Sequence, residues 1–253
     1  YLKAIKIDTE DFLNKILERI KRHQIKEALD TCDKAGAPIS RILKAGILKY
    51  ERSAEQIKEA IHLGCTQLGE NRVQHLKITA DDLAAAAQQN PQDAELYAKV
   101  KWHMIGHLQR NKVRQLLRIT EFIHSVDTLR LAEEISKSSS RLGICPNILM
   151  EINCSKEPQK YGVPVGAAIH LAEQIATMPN IRLAGLITMA PLSLNKDVVK
   201  SAFARARELF DEISGEKIAG SHFKHLSMGM SQDYEIAIEY GATILRIGSA
   251  IFT

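Results

Sequence analysis

The carboxyl-terminal stretch from Phe223 to Phe252 constrains the fold more than any other part of the chain. Two short apolar runs, Phe223–Met228 and Ala242–Ile247, are each followed at once by small residues, and an amphipathic segment, Gln232–Tyr240, separates them. This order predicts strand, loop, helix, strand, loop. In a parallel α/β protein both loops open at the same edge of the sheet, where backbone N–H groups can form an anion site. Two ordinary turns, in which Gly and Ser are common, are the alternative that spacing leaves open.

The preceding chain alternates strands with helices in the rhythm of a barrel. Strands are predicted at Arg41–Lys49, Cys65–Leu68, Val100–Ile105, Thr120–Val126, Asn147–Asn153, Leu183–Met189 and the two runs above. Helices are predicted over residues 10–31, Ala54–His62, parts of 78–98, Leu129–Ser136, Ala167–Thr177, Val198–Ile213 and Gln232–Tyr240. Eight strands in 253 residues predict one (β/α)8 barrel domain, residues 1–253, with an additional amino-terminal helix. A doubly wound open sheet is the alternative, but it would need a GxGxxG fingerprint after the first strand.

Composition narrows the class of function. A net charge of +4 suits a phosphorylated small molecule, and no block of Lys and Arg interleaved with aromatic residues indicates a nucleic-acid partner. No apolar run reaches the length of a membrane span, and the amino terminus lacks the apolar core of a signal peptide. The cysteines have no metal-ligand spacing, so we expect a cytoplasmic protein without a zinc site; they are Cys32, Cys65, Cys145 and Cys154.

The residues at the predicted carboxyl ends of the strands face the active site of a barrel. They are Lys49, Asn71, His103 with His107, Asp127, Asn153, Met189, Ser227 and Arg246. These residues offer acid/base and anion-binding groups, and their spacing requires no metal. Lys49 is the sharpest hypothesis, because a desolvated lysine at a strand end can form an imine. A solvated loop lysine is the ordinary alternative in a chain with 34 Lys and Arg. For His103 we favour a buried core histidine over a site residue.

Several longer strings resemble one family. The strings LSMGMSQDYEIAI and RIGSAIF near the carboxyl terminus, WHMIGHLQRNK in the middle, and GENRVQ and INCSKEPQKYG are similar to the pyridoxal phosphate homeostasis proteins. These proteins are single-barrel relatives of the alanine racemase amino-terminal domain. The matches cover most of Gly36–Phe252. The resemblance implies an alanine racemase-like (β/α)8 barrel that binds pyridoxal 5′-phosphate (PLP).

The resemblance also assigns a covalent attachment point. In the family the Schiff-base lysine stands at the end of the first strand, which implies Lys49 here. The residues before it, Gly46-Ile47-Leu48, depart from the usual Ala-Val-Ser/Thr, so Lys44 remains an alternative. Asn71 matches the GEN-x-x-Q motif and would lie near the cofactor ring. Lys160 and Gly162 match a K-x-G element on a loop over the barrel mouth.

At the carboxyl terminus the resemblance implies a phosphate cup. Ser227 corresponds to a phosphate-binding serine, and the backbone around Gly248 and Ser249 to the second half of the cup. Arg246 corresponds to the arginine that faces the pyridine nitrogen. Since arginine does not readily give up its proton, the ring nitrogen would stay unprotonated and the cofactor would support restricted carbanion chemistry.

The sequence leaves three classes of function open, of which the first two use PLP. The first is a monomeric carrier that holds PLP and delivers it to apoenzymes, without catalytic residues of its own. The second is a racemase or related PLP enzyme, which needs a second proton donor that alanine racemases take from a further domain. The third is a phosphate-binding barrel enzyme without PLP, which the altered residues before Lys49 leave open.

Overall fold

The structure, a computed structural model, describes residues 12, 15–16, 18–19, 27, 30–32, 34, 56–155, 157 and 161–251. The chain divides into two compact units, residues 1–64 and 65–253. In the first unit the described residues up to 34 are helical, as are residues 56–62, and Phe12 and Ile16 are buried. The leading helix predicted over residues 10–31 is therefore confirmed at its described positions. The organisation as one domain stays a prediction.

The second unit is built on a parallel sheet. Its strands are β1 Gln67–Glu70, β2 Lys101–Met104, β3 Phe122–Val126, β4 Asn147–Asn153, β5 Val163–Pro164, β6 Arg182–Thr188, β7 His225–Met230 and β8 Ile244–Arg246. The order across the sheet is β1-β2-β3-β4-β6-β7-β8, and the two-residue β5 pairs with β4. The described pairs are all parallel. The first predicted strand, Arg41–Lys49, lies outside the described residues.

Helices connect the strands and cover one face of the sheet. They are α1 Val73–Gln89, α2 Pro91–Tyr97, α3 Val113–Leu116, α4 Leu129–Leu142, α5 Val165–Ala176, α6 Lys196–Gly215 and α7 Tyr234–Glu239, with short 3-10 turns at Arg110–Lys112 and Gly220–His222. None of the helices described in this way is long and apolar enough to cross a membrane.

Local capping explains where these helices begin and end. The Thr128 side chain accepts the backbone N–H of Leu131 at 3.3 Å and starts α4, and Gly143 ends it at φ +67°. The Asn90 side chain accepts the N–H of Gln92 at 3.1 Å and starts α2 at Pro91. The polar 78–98 segment predicted as helical therefore forms two helices that meet at Asn90.

The sheet curls so that strands that are not neighbours in the order touch through its interior. The rings of Phe122 on β3 and His225 on β7 lie 5.5 Å apart, although β4 and β6 separate these strands. Arg246 on β8 reaches across β7 and donates to the Thr188 carbonyl on β6 at 2.9 Å. Such contacts across the concave face are those of a barrel wall.

Alternation along β4 separates the two faces of the wall. Ile148, Met150 and Ile152 pack in the large core with the helices, and burial of such side chains contributes about 1.5–3 kcal/mol each. Leu149 instead points into the barrel. There it belongs to a small cluster that we call the apolar layer, made of Phe122, Leu149, Ala184, Ile187 and Ile244.

Candidate functional site

A polar layer lies directly above the apolar layer, toward the carboxyl ends of the strands. Successive side chains on one face of a strand are two residues apart, so each residue two positions beyond the apolar layer belongs to the next level. On β3, β4 and β8 these residues are His124, Glu151 and Arg246. Ser227 of β7 joins them, because its hydroxyl is hydrogen bonded to Arg246. We call these four residues the polar layer.

Arg246 is held in a fixed position within this layer. Its Nη1 donates to Ser227 Oγ at 2.8 Å, and its Nη2 donates to the Thr188 carbonyl at 2.9 Å. Burial lowers the pKa of Arg246 to about 10, while the negative charges of Asp233 and Glu151 act in the opposite direction. The guanidinium therefore remains charged at neutral pH and offers its remaining N–H groups as donors.

Glu151 was not among the residues singled out from the sequence. It is the buried acidic residue of the described core, 6% exposed, on the same face of β4 as Leu149. Burial and the charge of Asp127 together raise its pKa to about 7, against the opposing charge of Arg246. The one sequence signal was a single acidic residue in the apolar run ILMEIN, which is also compatible with an exposed position.

Two histidines of the barrel, His103 and His124, form a hydrogen-bonded chain with Gln67. His103 Nε2 bonds Gln67 Oε1 at 2.6 Å, and His103 Nδ1 bonds His124 Nε2 at 2.9 Å. His103 also stacks on Phe122, with ring centroids 4.8 Å apart. Burial lowers the pKa of His103 to about 4 and that of His124 well below 6.5, so both rings are neutral at pH 7. The interpretation of His103 as a core histidine is confirmed.

The loops after β7 and β8 meet at one oxygen. Ser231 Oγ accepts the backbone N–H groups of Gly248 at 3.2 Å and Ala250 at 3.3 Å. Two N–H groups directed at one oxygen are the donor arrangement of an oxyanion site. A Cβ added at Gly248 would meet no atom within 4 Å, so it would extend into open space, and the neighbouring Ser249 is exposed.

Ser227 and Ser231 therefore occupy different positions. Ser227 is fully buried in β7 and accepts from Arg246, whereas the hydroxyl at the convergent N–H groups belongs to Ser231. The turn between them requires glycine: Gly229 has φ +91°, and a Cβ there would lie 2.5 Å from the Ala237 Cβ. Asp233 closes the turn by accepting the Met230 N–H at 2.6 Å.

Asn71 lies at the carboxyl end of β1, as predicted, and its position is set by its neighbours. Glu70 Oε1 accepts the N–H groups of Asn71 at 2.6 Å and Arg72 at 3.1 Å, while Glu70 Oε2 contacts His75 Nδ1 at 2.5 Å. A Cβ on Gly106 would lie 2.3 Å from the Asn71 carbonyl oxygen. The GEN and IGH strings thus pack two strand ends closely together at the mouth.

The remaining predicted strand ends line the rim. His107 Nδ1 lies 3.7 Å from Asp127 Oδ2, and the His107 ring stacks on Tyr161 with centroids 4.4 Å apart. Asn153 accepts from Ser155 and donates to the Glu157 carbonyl at 2.9 Å, which shapes the loop after β4. Met189 is partly exposed after β6.

The lysines of the sequence hypothesis cannot be placed in this geometry. Lys49, its alternative Lys44 and the loop residue Lys160 all lie outside the described residues. Across the described part of the chain, no group of three or more His, Cys, Asp or Glu side chains could hold a metal ion.

Comparison with known proteins gives relatives over most of the chain. The family of the alanine racemase N-terminal domain matches residues 18–253. The pyridoxal phosphate homeostasis protein of Aquifex aeolicus is 36% identical over 240 residues, which cover 95% of each chain. The protein of that name from Escherichia coli is 33% identical over 232 residues, 91% of this chain and 92% of the relative.

Solved structures agree with this likeness. PipY of Synechococcus elongatus is 30% identical, and its structures without and with PLP superpose with TM-scores of 0.70 and 0.69 over 79% of this chain and 87% of theirs. Alanine racemase of Clostridium difficile, 12% identical with a TM-score of 0.62 over 78% of this chain and half of its own, shares the fold. The (β/α)8 barrel predicted from the sequence is thereby confirmed, and the chain belongs to the pyridoxal phosphate homeostasis protein family.

Proposed function

We propose that this chain binds pyridoxal 5′-phosphate at the mouth of the barrel and acts as a carrier that holds the cofactor for other proteins. The observation that carries the proposal is the convergence of the Gly248 and Ala250 N–H groups on one oxygen. Arg246, which is held in place by its hydrogen bond to Ser227, precedes Gly248 by two residues in the chain. The names of its relatives and the PLP-bound structure of PipY support the same ligand.

The phosphate end of the ligand fits the loops after β7 and β8. A phosphate oxygen would take the two N–H groups that the Ser231 hydroxyl now accepts, and Ser231 could then donate its own O–H to the phosphate. The open space beside Gly248 leaves room for the anion, and the exposed Ser249 follows directly. We assign Ser227 a supporting role, because its hydroxyl holds the Arg246 guanidinium at 2.8 Å.

The ring end of the ligand fits Arg246. Bound PLP supplies an aldehyde that forms a Schiff base with an amine and a ring that can withdraw electrons. A guanidinium with a pKa of about 10 donates to a ring nitrogen at neutral pH without transferring its proton. A ring held in this way withdraws electrons weakly, so the arrangement favours retention of the cofactor over catalysis.

We propose Lys49 as the residue that holds the cofactor as a Schiff base, with Asn71 beside the ring. The support is the resemblance that places a Schiff-base lysine at the end of the first strand, and the position of Asn71 at the end of β1. Lys44 and Lys160 are the alternative attachment points. The apoenzymes that would receive the cofactor, and the monomeric state, are part of the same proposal and rest on the family alone.

An absorbance spectrum after addition of PLP, followed by borohydride reduction and peptide mapping, tests the proposal. We expect a Schiff-base band and a modified peptide that contains Lys49. Lys49→Ala should lose both, and the matched variant Lys44→Ala should keep both. A modified Lys44 or Lys160 peptide in the wild type would move the attachment point. Absence of the band and of ligand retention would contradict PLP binding itself.

A racemisation assay of the loaded protein separates the carrier from an enzyme. We expect no conversion of L-alanine to D-alanine above that of free PLP, because the site geometry favours retention. Conversion that is lost in Lys49→Ala would instead assign the chain to the PLP-dependent racemases.

A further inference from the structure

Glu151 shares the polar layer with Arg246 but has no part in the binding scheme above. Leu149 and Ile244 belong to the same apolar layer, and Glu151 and Arg246 each stand two residues further along their strands on the same face. The carboxyl group therefore enters the barrel one level above the apolar layer, on the side from which a ligand at the strand ends would approach.

Among the described residues, the Glu151 carboxyl group has few positive charges near it to stabilise its ionised form. The titratable groups on the described strands and loops around this space are His103 and His107 from β2 and its loop, His124 and Asp127 from β3 and its end, His225 and Asp233 from β7 and its loop, and Arg246 from β8. From β6 come the apolar side chains of Ala184 and Ile187. His103 and His124 are neutral at pH 7, so Arg246 is the main positive charge that opposes Asp127 near Glu151.

A phosphorylated ligand at the barrel mouth would shift the ionisation of Glu151 toward the protonated form. It adds negative charge near the buried Glu151 side chain and draws the N–H donors of Arg246 toward itself. Both effects disfavour an ionised carboxylate at Glu151. Because the group is already close to half protonated at pH 7, a modest change in its surroundings moves a measurable fraction of a proton.

We propose that Glu151 takes up a proton when a phosphorylated pyridine ligand binds at the barrel mouth and returns it when the ligand leaves. The inference rests on the proposed function, since it requires that the mouth binds such a ligand. It makes Glu151 a positioning residue that keeps the pocket charge compatible with an anion. Its consequence is tighter binding of the ligand below neutral pH and easier release above it.

The test is calorimetry with 4′-deoxypyridoxine 5′-phosphate, which lacks the aldehyde, so that no covalent step exchanges protons. Titrations at pH 7 in two buffers with different ionisation enthalpies give the number of protons taken up per ligand. We expect the wild type to take up about half a proton more than Glu151→Gln, because about half of the Glu151 side chains are ionised at that pH. The exposed Glu239→Gln on α7 serves as the matched control and should behave as the wild type.

The outcomes separate the two proposals. Binding with equal proton uptake in the wild type and in Glu151→Gln overturns the role of Glu151 and leaves the proposed function intact. Absence of binding overturns the inference, which requires the mouth to bind a phosphorylated pyridine without an imine, and the proposed function is then decided by the PLP absorbance experiment above. A carbon-13 NMR titration of the ligand-free protein, with Glu151→Gln as the assignment variant, gives a second readout: titration of Glu151 together with exposed carboxyl groups also overturns the inference.

Discussion

Arg246 shows at the scale of one residue how a buried cation can serve both fold and ligand. Arg246→Ala removes two hydrogen bonds and leaves the Ser227 hydroxyl and the Thr188 carbonyl without that donor, so we expect a loss of about 1–3 kcal/mol in the free energy of unfolding. Retention of PLP should fall while borohydride trapping on lysine persists. Urea denaturation and dialysis against buffer measure the two effects.

Arg205→Ala is the matched control for this variant, because Arg205 forms an exposed ion pair with Glu208 on α6. It should change the free energy of unfolding by less than about 1 kcal/mol and leave cofactor retention unchanged. If Arg246→Ala retained PLP as well as Arg205→Ala does, the guanidinium would have no place at the ring.

Individual residues also mark how far the sequence could predict the site. The positions of Arg246, Gly248 and Asn71 at strand ends and in small-residue loops could be predicted from local pattern, and their roles at a ligand stay predictions. Glu151 could not be, because its surroundings depend on which residues of other strands share its level in the barrel. Ser231 could not be predicted for the same reason, since its contact with the Gly248 N–H depends on the loop after β8.

At the scale of the element, the turn between β7 and α7 depends on one glycine. In Gly229→Ala the alanine backbone would have to keep φ at +91°. Its Cβ would also approach the Ala237 Cβ to 2.5 Å. We expect a loss of about 2–4 kcal/mol in the free energy of unfolding, from the left-handed backbone and the displaced α7. Thermal unfolding of the purified variant, followed by circular dichroism, measures it.

Gly166→Ala on α5 is the control, because a Cβ there meets nothing within 4 Å and the residue lies within a helix. Its stability should be unchanged or higher by up to about 1 kcal/mol. Equal stability of the two alanine variants would mean that the β7–α7 turn can relax without loss of stability. Gly229 would then not be needed to hold the loop after β7 in the position proposed for phosphate binding.

The predicted strands that the structure describes begin and end within two residues of their predicted bounds, whereas the helix predicted at Leu129–Ser136 continues to Leu142 as α4. The strand Asn147–Asn153 was found with both predicted ends, because its continuous apolar run is bounded by polar residues. The strand predicted at Cys65–Leu68 instead runs from Gln67 to Glu70, because the Glu70 side chain turns back onto the Asn71 and Arg72 N–H groups and ends the strand there. The two-residue β5 had no sequence signal, since it exists only by pairing with β4.

At the scale of the whole molecule, a polar barrel interior makes stability depend on pH. Burial keeps the pKa values of His103, His124 and His225 below 6.5, so the unfolded chain binds more protons than the folded chain as the pH falls below 6.5. For His103 the difference between 6.5 unfolded and about 4 folded corresponds to roughly 3 kcal/mol. Glu151 acts oppositely: its raised pKa stabilises the folded chain at low pH, and that contribution is lost as the pH rises from 4.5 through about 7.

Because three histidines oppose one glutamate, we expect a net loss of stability on acidification from pH 6.5 to 4. His103→Gln should be less stable at pH 7 but should lose less on acidification, since one of the three groups no longer takes up a proton on unfolding. Urea denaturation across this range measures both slopes, with the exposed His170→Gln on α5 as the control. Parallel curves for the wild type and His103→Gln would mean that His103 binds protons equally in both states. The neutral histidine chain would then not be a source of the pH dependence, and the barrel interior would be more hydrated than its burial indicates.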